Sequence, residues 1–189
     1  MENANLVIKR AKRSVATGFF LAGVTVGTLA PRLAEVKINT NSSDSSYGTA
    51  FAINSVGALL GFFLGAKAAQ RIGTRKSAGT VFYLMLLANF SFSLANNALM
   101  LAIVSINSGV VYSIFNVNMN SQGVLVEQRL KRSFIPRAHA AWSFGALLAG
   151  ITSSAVAPYL SVRTTLAIAD IFCAMVWIIM SRGLMPHQY

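Results

Sequence analysis

Apolar residues along this chain gather into six long runs, at about 14–34, 47–66, 78–96, 98–121, 137–158 and 163–181. Short polar connections separate them. Each run is near the roughly 20 residues that carry a helix across the hydrocarbon of a bilayer. The pattern predicts an all-α integral membrane protein with six spans, and residues 1–189 read as a single six-helix transmembrane domain. Little chain remains for an extramembrane domain.

Composition supports the pattern. The 189 residues are 54% hydrophobic and 11% charged, and mean hydropathy is +0.58. Soluble domains carry about a quarter charged residues. The net charge of +11 raises the question of nucleic acid, but its distribution answers it. Lys9, Arg10, Lys12, Arg13, then Lys67, Arg71, Arg75, Lys76, then Arg129, Lys131, Arg132, Arg137, and finally Arg182 all fall on one side of the predicted spans. That is thirteen of the sixteen basic residues; only Arg32, Lys37 and Arg163 fall on the other. Basic residues of short loops are retained on the cytoplasmic side, so both termini are expected in the cytoplasm. The partners implied are the lipid bilayer and its anionic headgroups, with no nucleic acid.

The first run has a basic lead and an apolar stretch, as a signal peptide does. Its length, the poor cleavage sequence at Thr28-Leu29-Ala30 and the following Pro31 read instead as a retained first helix. Cys173 is the single cysteine, so neither a disulfide framework nor a metal site is expected, and no cofactor. The connection at about 35–46, rich in Ser and Asn, is expected to be mobile, with Asp44, Ser45 or Ser46 capping the second span. Asn41-Ser42-Ser43 matches a glycosylation acceptor, a short pattern with a high chance rate.

Gly57, Gly61 and Gly65 form a doubled G-x-x-x-G, which lines one helix face and lets a second backbone approach. A sliding seam and plain tight packing both fit. Span four is unusually polar. Tyr112, Asn116 and Asn120 share a face with Ser113 beside them, and amides in hydrocarbon need partners. The face either lines a cavity or supplies interhelical hydrogen bonds. Trp142 reads as an interfacial anchor. Asp170 is the lone carboxylate well inside a span. A charge there costs roughly 2.5–3.5 kcal/mol on insertion scales, which makes it a candidate proton site or a hydrogen-bonded structural group. His139 lies near the inner surface, more than ~10 Å from Asp170 in depth, so the two are not expected to pair. Glu127 reads either as an inner-surface latch, paired with Arg129, Lys131 and Arg132 or with the basic loop after span two, or as a solvated loop charge. No metalloprotease, Walker or G-x-S-x-G motif occurs. An intramembrane serine protease built on Ser108-Gly109 would need a deep histidine; His139 is near the surface and His187 is in the tail. The chain is not expected to be an enzyme.

Three segments carry a family resemblance. Gly73-Thr74-Arg75-Lys76 after Gln70-Arg71 resembles the loop between helices two and three of the major facilitator superfamily. Asn116-Val117-Asn118-Met119-Asn120-Ser121-Gln122-Gly123 up to Glu127, and His139-Ala140-Ala141-Trp142-Ser143-Phe144-Gly145, resemble its YbjJ-like bacterial permeases, near the fucose permeases. Phe19 to Arg32 is similar to the first helix of that branch. The resemblance implies a secondary active transporter of the bacterial inner membrane, moving a small solute by alternating access between two six-helix halves. It implies cavity-lining first and fourth helices, in line with the polar face of span four. It also implies peripheral third and sixth helices, which weakens a transport role for Asp170. Thr25, Asn54, Asn116 and Asn120 are then the substrate-cavity candidates. Arg71, Gly73, Arg75, Lys76, Glu127 and His139 are the inner-gate candidates. Two features depart from the family: Gln70 stands where the loop motif has an acidic residue, and a full carrier has twelve helices. The chain resembles the N-terminal half. The two halves of this fold are parallel repeats about an axis along the membrane normal, so a second copy, or a separate second half, would complete it. The alternative is a non-transporting membrane subunit or truncated remnant that packs on a partner through the Gly57/Gly61/Gly65 seam.

Overall fold

The computed structural model describes residues 2–186; His187 and the end at Tyr189 lie outside the described residues. The chain is all helical: α1 (Glu2–Leu29), α2 (Leu33–Asn39), α3 (Asp44–Ala52), α4 (Asn54–Ile72), α5 (Thr74–Ser91), α6 (Ala98–Leu130), α7 (Ile135–Val156) and α8 (Val162–Met180). Single-turn 3-10 segments follow α1, α5 and α8. By length and composition, five stretches suit a membrane crossing: α1 with α2, α3 with α4, α5, α6 and α8. Helix α7 is the sixth long helix, 22 residues. Arg137, His139 and the Thr152-Ser153-Ser154 run make it less apolar.

Local chemistry sets the helix ends. Asn97 accepts the Met100 amide at 2.8 Å to start α6, and Ser161 accepts the Thr164 amide at 3.2 Å to start α8. Each takes up an orphan N–H of a first turn. Pro136 sits in the first turn of α7, where its missing N–H costs nothing. Gly73 divides α4 from α5 with φ 81° and ψ 151°, a combination open to glycine and strained for any side chain.

Two expectations for the outer connection are corrected. Most of residues 35–46 is helix, not mobile loop, because α2 runs to Asn39. Thr40 then donates to the Val36 and Lys37 carbonyls, each at 3.0 Å, and Lys37 pairs with Asp44. The cap of α3 is Ser43, not Asp44, Ser45 or Ser46. Its extended backbone lets Oγ accept the Ser46 amide at 3.2 Å.

Packing is governed by backbone approach. A Cβ added to Gly57 would overlap the Ile106 carbonyl, one on Gly61 the Val110 carbonyl, and one on Gly109 the Asn54 carbonyl, so α4 and α6 meet backbone to backbone. Helices α1 and α7 meet the same way: Gly23 faces the Trp142 carbonyl, Gly27 the Ala146 carbonyl and Gly145 the Phe20 carbonyl. The Gly57/Gly61/Gly65 seam is therefore consumed inside the domain. This corrects its assignment to a partner, because its glycines already lie against α6.

Around these crossings lies an apolar core. Phe82 stacks 4.8 Å from Trp177 and 5.2 Å from Phe115, with Met119 fully buried beside Gly18. A second cluster gathers Val36, Ala50, Phe92, Leu101 and Leu166 toward the end of the bundle away from the N-terminus. The outward faces are apolar too: Leu59, Phe63, Leu87, Ile103, Ile151 and Ile179 are all more than half exposed. Backbone satisfied within helices and apolar side chains turned outward suit hydrocarbon as the solvent.

Glycine substitutions separate contact from propensity. Gly109→Ala is expected to lower the melting temperature of the detergent-purified protein, by about 1–3 kcal/mol of overpacking. Gly48→Ala and Gly79→Ala, with nothing within 4 Å of the new Cβ, are expected to hold or raise it, by up to ~1 kcal/mol each. Thermal unfolding followed by tryptophan fluorescence checks both.

Candidate functional site

A cavity of about 240 Å³ opens among α1, α3, α4, α5 and α6, toward the end of the bundle away from the N-terminus. Its polar lining is Thr25, Asn54, Asn89, Ser108 and Tyr112, set among Val26, Leu29, Leu33, Phe51, Met85 and Phe92. No lining residue is charged.

Thr25, Asn54, Asn89 and Tyr112 are each held from behind. The Thr25 hydroxyl donates to the Ala22 carbonyl at 2.8 Å. Asn54 follows directly after Ile53, where the second span breaks between α3 and α4, and its Nδ2 donates to the Ser105 carbonyl at 2.8 Å. Tyr112 Oη accepts from Trp142 Nε1 at 2.8 Å. Trp142 is thus a support inside the bundle, which corrects its reading as an interfacial anchor; its indole N–H needs a partner and finds one on α6. Asn89 Nδ2 donates to both carboxylate oxygens of Asp170, at 3.0 and 3.3 Å. Asp170 is therefore one hydrogen bond behind the cavity wall, joining α8 to α5.

The structure separates the polar face of span four. Tyr112 and Ser108 line the cavity; Asn116 and Asn120 lie one and two turns further along α6, half buried. Asn120 Nδ2 donates to the Asn116 carbonyl at 2.9 Å and to its side-chain oxygen at 2.5 Å. A neighbour four residues away meets part of the amide's demand within the helix. Asn118, on another face, donates to the Gly65 carbonyl at 3.3 Å and braces α4.

At the other end, Arg71, Arg75 and Lys76 are exposed around Gly73, and Arg75 Nη2 donates to the Arg182 carbonyl at 2.9 Å. Glu127 Oε1 accepts the Phe134 and Ile135 amides at 2.6 and 2.9 Å. The carboxylate thus caps the start of α7, where orphan amides and the helix dipole favour it; this takes the place of the expected pairing with the basic loops. His139 is exposed, and its ring meets the Phe19 ring edge-on at 4.9 Å.

Sequence reasoning missed two buried polar hubs. Arg32 is fully buried. It pairs with Glu35 at 2.6 Å and donates to the Leu160 carbonyl at 2.5 Å, Thr165 Oγ1 at 3.3 Å and the Ser153 carbonyl at 3.5 Å. It ties the end of α1 to α7 and α8. The available signal was an arginine directly after Pro31, with a glutamate three residues on. Gln122, also fully buried, donates to Thr74 Oγ1 at 2.8 Å and the Met185 carbonyl at 2.9 Å, and accepts the Met185 amide at 2.8 Å.

Two comparisons with known proteins bear on this geometry. Residues 15–188 match the Major Facilitator Superfamily. The chain is also similar to a protein of Sinorhizobium fredii (strain NBRC 101917 / NGR234) named "Uncharacterized transporter y4wD", 29% identical over 136 residues. The match covers 72% of this chain and 36% of that protein, so the matched stretch spans about a third of the relative's length.

Arg32→Ala leaves Glu35 and three acceptors without their cation. Glu35 is itself 39% exposed, so the larger cost lies in the acceptors on and between α7 and α8 left without a donor, about 1–3 kcal/mol each, and the variant is expected to unfold well below the wild type in detergent. Lys131→Gln, on the exposed loop, is expected to melt within a degree or two of it. Parallel melting curves check the contrast.

Proposed function

Because this chain belongs to the Major Facilitator Superfamily, a class that transports and does no covalent catalysis, we propose that it forms one six-helix half of a secondary active carrier. Its cargo in this reading is a small, neutral, polar solute, moved by alternating access. The observation that carries the reading is the cavity wall, in which hydroxyls and amides stand among apolar side chains without a charge. Such a wall orients a hydrogen-bonding solute and offers nothing to neutralise an ion. The YbjJ-like, fucose-permease-like branch fits a solute of this kind.

Thr25 and Asn54 meet the solute in the outer cavity, and Asn116 and Asn120 continue the polar face inward for the opposite state. Arg71, Gly73, Arg75, Lys76, Glu127 and His139 form the inner gate, with Gly73 as the sharp turn and Glu127 holding the start of α7. Asp170, linked to the wall through Asn89, is the place for a coupling proton. Both termini lie in the cytoplasm of a bacterial inner membrane, as the one-sided basic residues favour.

The second half, or a second copy, packs on α7. Phe144, Leu147 and Ile151 are each more than half exposed there. Gly150, Ser154 and Ala155 add a small-residue groove beside Leu147 and Ile151, the kind of face that lets helices approach in lipid.

A solute screen by thermal shift tests the cavity. One neutral polyhydroxylated or amide solute is expected to raise the melting temperature of the wild type and not of Asn54→Leu. Saturation at a hundred times Kd is worth about 2.7 kcal/mol. A response confined to charged solutes overturns the reading. For that solute, Asn116→Leu with Asn120→Leu is expected to abolish uptake at unchanged membrane abundance; loss of abundance instead assigns the pair to packing. Detergent-corrected light scattering tests the assembly. A uniform dimer supports completion by a second copy, and a monomer assigns completion to a separate half.

A further inference from the structure

At the basic end of the bundle, the start of α1 and the end of α8 enclose a second cleft, of about 270 Å³. Arg10, Arg13 and Arg182 line it together with Ser14, Ile179 and Met180. The backbone beneath the cleft is fixed, and the exposed side chains of Arg10, Arg13 and Arg182 project from it. The 3-10 turn Ser181–Gly183 lies so close on α1 that a Cβ on Gly183 would overlap Ser14 Oγ. The Ser14 hydroxyl is turned back onto the Arg10 carbonyl at 3.0 Å, and Arg75 holds the Arg182 carbonyl from the other side at 2.9 Å. These contacts set Arg182 opposite Arg10 and Arg13.

Three arginines line one cleft, and their like charges favour an anion between them. The described carboxylates are committed elsewhere: Glu35 to Arg32, Asp44 to Lys37, Glu127 to the start of α7 and Asp170 to Asn89. None lines the cleft. A phosphate matches the need, because planar guanidinium groups bind its oxygens in pairs.

A second observation specifies which phosphate. The cleft floor is Ile179 and Met180, and an apolar stripe runs up α8 from it. Ile171, Met175, Ile178 and Ile179 are each 50–64% exposed, and they follow one another at helical spacing along the outward face. A phosphate carried on acyl chains satisfies the arginines and the stripe at once. We propose that the Arg10/Arg13/Arg182 cleft is a binding site for one anionic phospholipid, its headgroup phosphate among the arginines and an acyl chain along Ile171, Met175, Ile178 and Ile179. The site requires the membrane-embedded fold and is independent of whether the chain transports anything.

Native mass spectrometry of the purified protein tests this. The probes are phosphatidylglycerol and phosphatidylcholine of identical acyl chains, titrated in turn, with inorganic phosphate as competitor. The wild type is expected to retain one phosphatidylglycerol per chain with roughly tenfold or greater preference over phosphatidylcholine, as three basic side chains near a headgroup imply. Arg10→Gln with Arg13→Gln and Arg182→Gln is expected to lose that preference. Lys131→Gln with Arg132→Gln and Arg137→Gln, which removes the same charge from the same end, is expected to keep it. Equal binding of the two lipids by the wild type overturns the proposal whether or not the variants fold. So does equal loss in both triple variants, which would make the attraction diffuse. Displacement of the lipid by millimolar inorganic phosphate overturns the choice of a lipid and leaves a site for the free anion.

Discussion

Backbone-to-backbone contact between helices is the constraint on which this structure rests. In hydrocarbon, burying an apolar side chain gains little over leaving it in lipid, so helices associate through close packing and interhelical hydrogen bonds. The chain meets this twice. Helices α4 and α6 cross at Gly57, Gly61 and Gly109, and helices α1 and α7 cross at Gly23, Gly27 and Gly145, in each case with a carbonyl where a Cβ would be. These crossings bring Asn54 against the Ser105 carbonyl and Trp142 against Tyr112. The cavity wall is a consequence of where glycine permits contact.

Polar groups left inside the bundle act as ties between the crossings. Arg32 joins α1, α7 and α8 at one end. Gln122 joins α6, the start of α5 and the segment after α8 at the other. Asn89 and Asp170 join α5 to α8 behind the cavity. Each is costly to bury alone and acceptable once its hydrogen bonds are made. In the carrier proposed above, ties of this kind set which helices move together.

The charge asymmetry works at a different level. Thirteen basic residues fall on one side of the predicted spans, whereas Arg32 and Lys37, which pair with Glu35 and Asp44, belong to the other three. Arg75 spends its hydrogen bond on a backbone carbonyl, and Glu127 serves the start of α7. The excess positive charge at that end is available to anions, and the cleft between α1 and α8 concentrates three such groups.

The sequence by itself determined the class of the protein. Six apolar runs with alternating basic connections require membrane helices, because hydrocarbon leaves the backbone no other way to satisfy its polar groups. The glycine spacing announced close packing, and the polar residues of span four announced groups in need of partners. Both are periodic features readable within one helix. Which helix each would meet was not legible. The Gly57/Gly61/Gly65 seam read as tight packing, as a sliding seam or, in the alternative reading, as a contact with a partner. Arg32 read only as one of three basic residues on the sparsely charged side. Asn116 and Asn120 read as companions of Tyr112, although only Tyr112 reaches the cavity. Those outcomes depend on the rotation and crossing of one helix against another, set by contacts between residues as far apart as Arg32 and Thr165. A one-dimensional pattern fixes the face a residue occupies; only the packed bundle decides what that face touches.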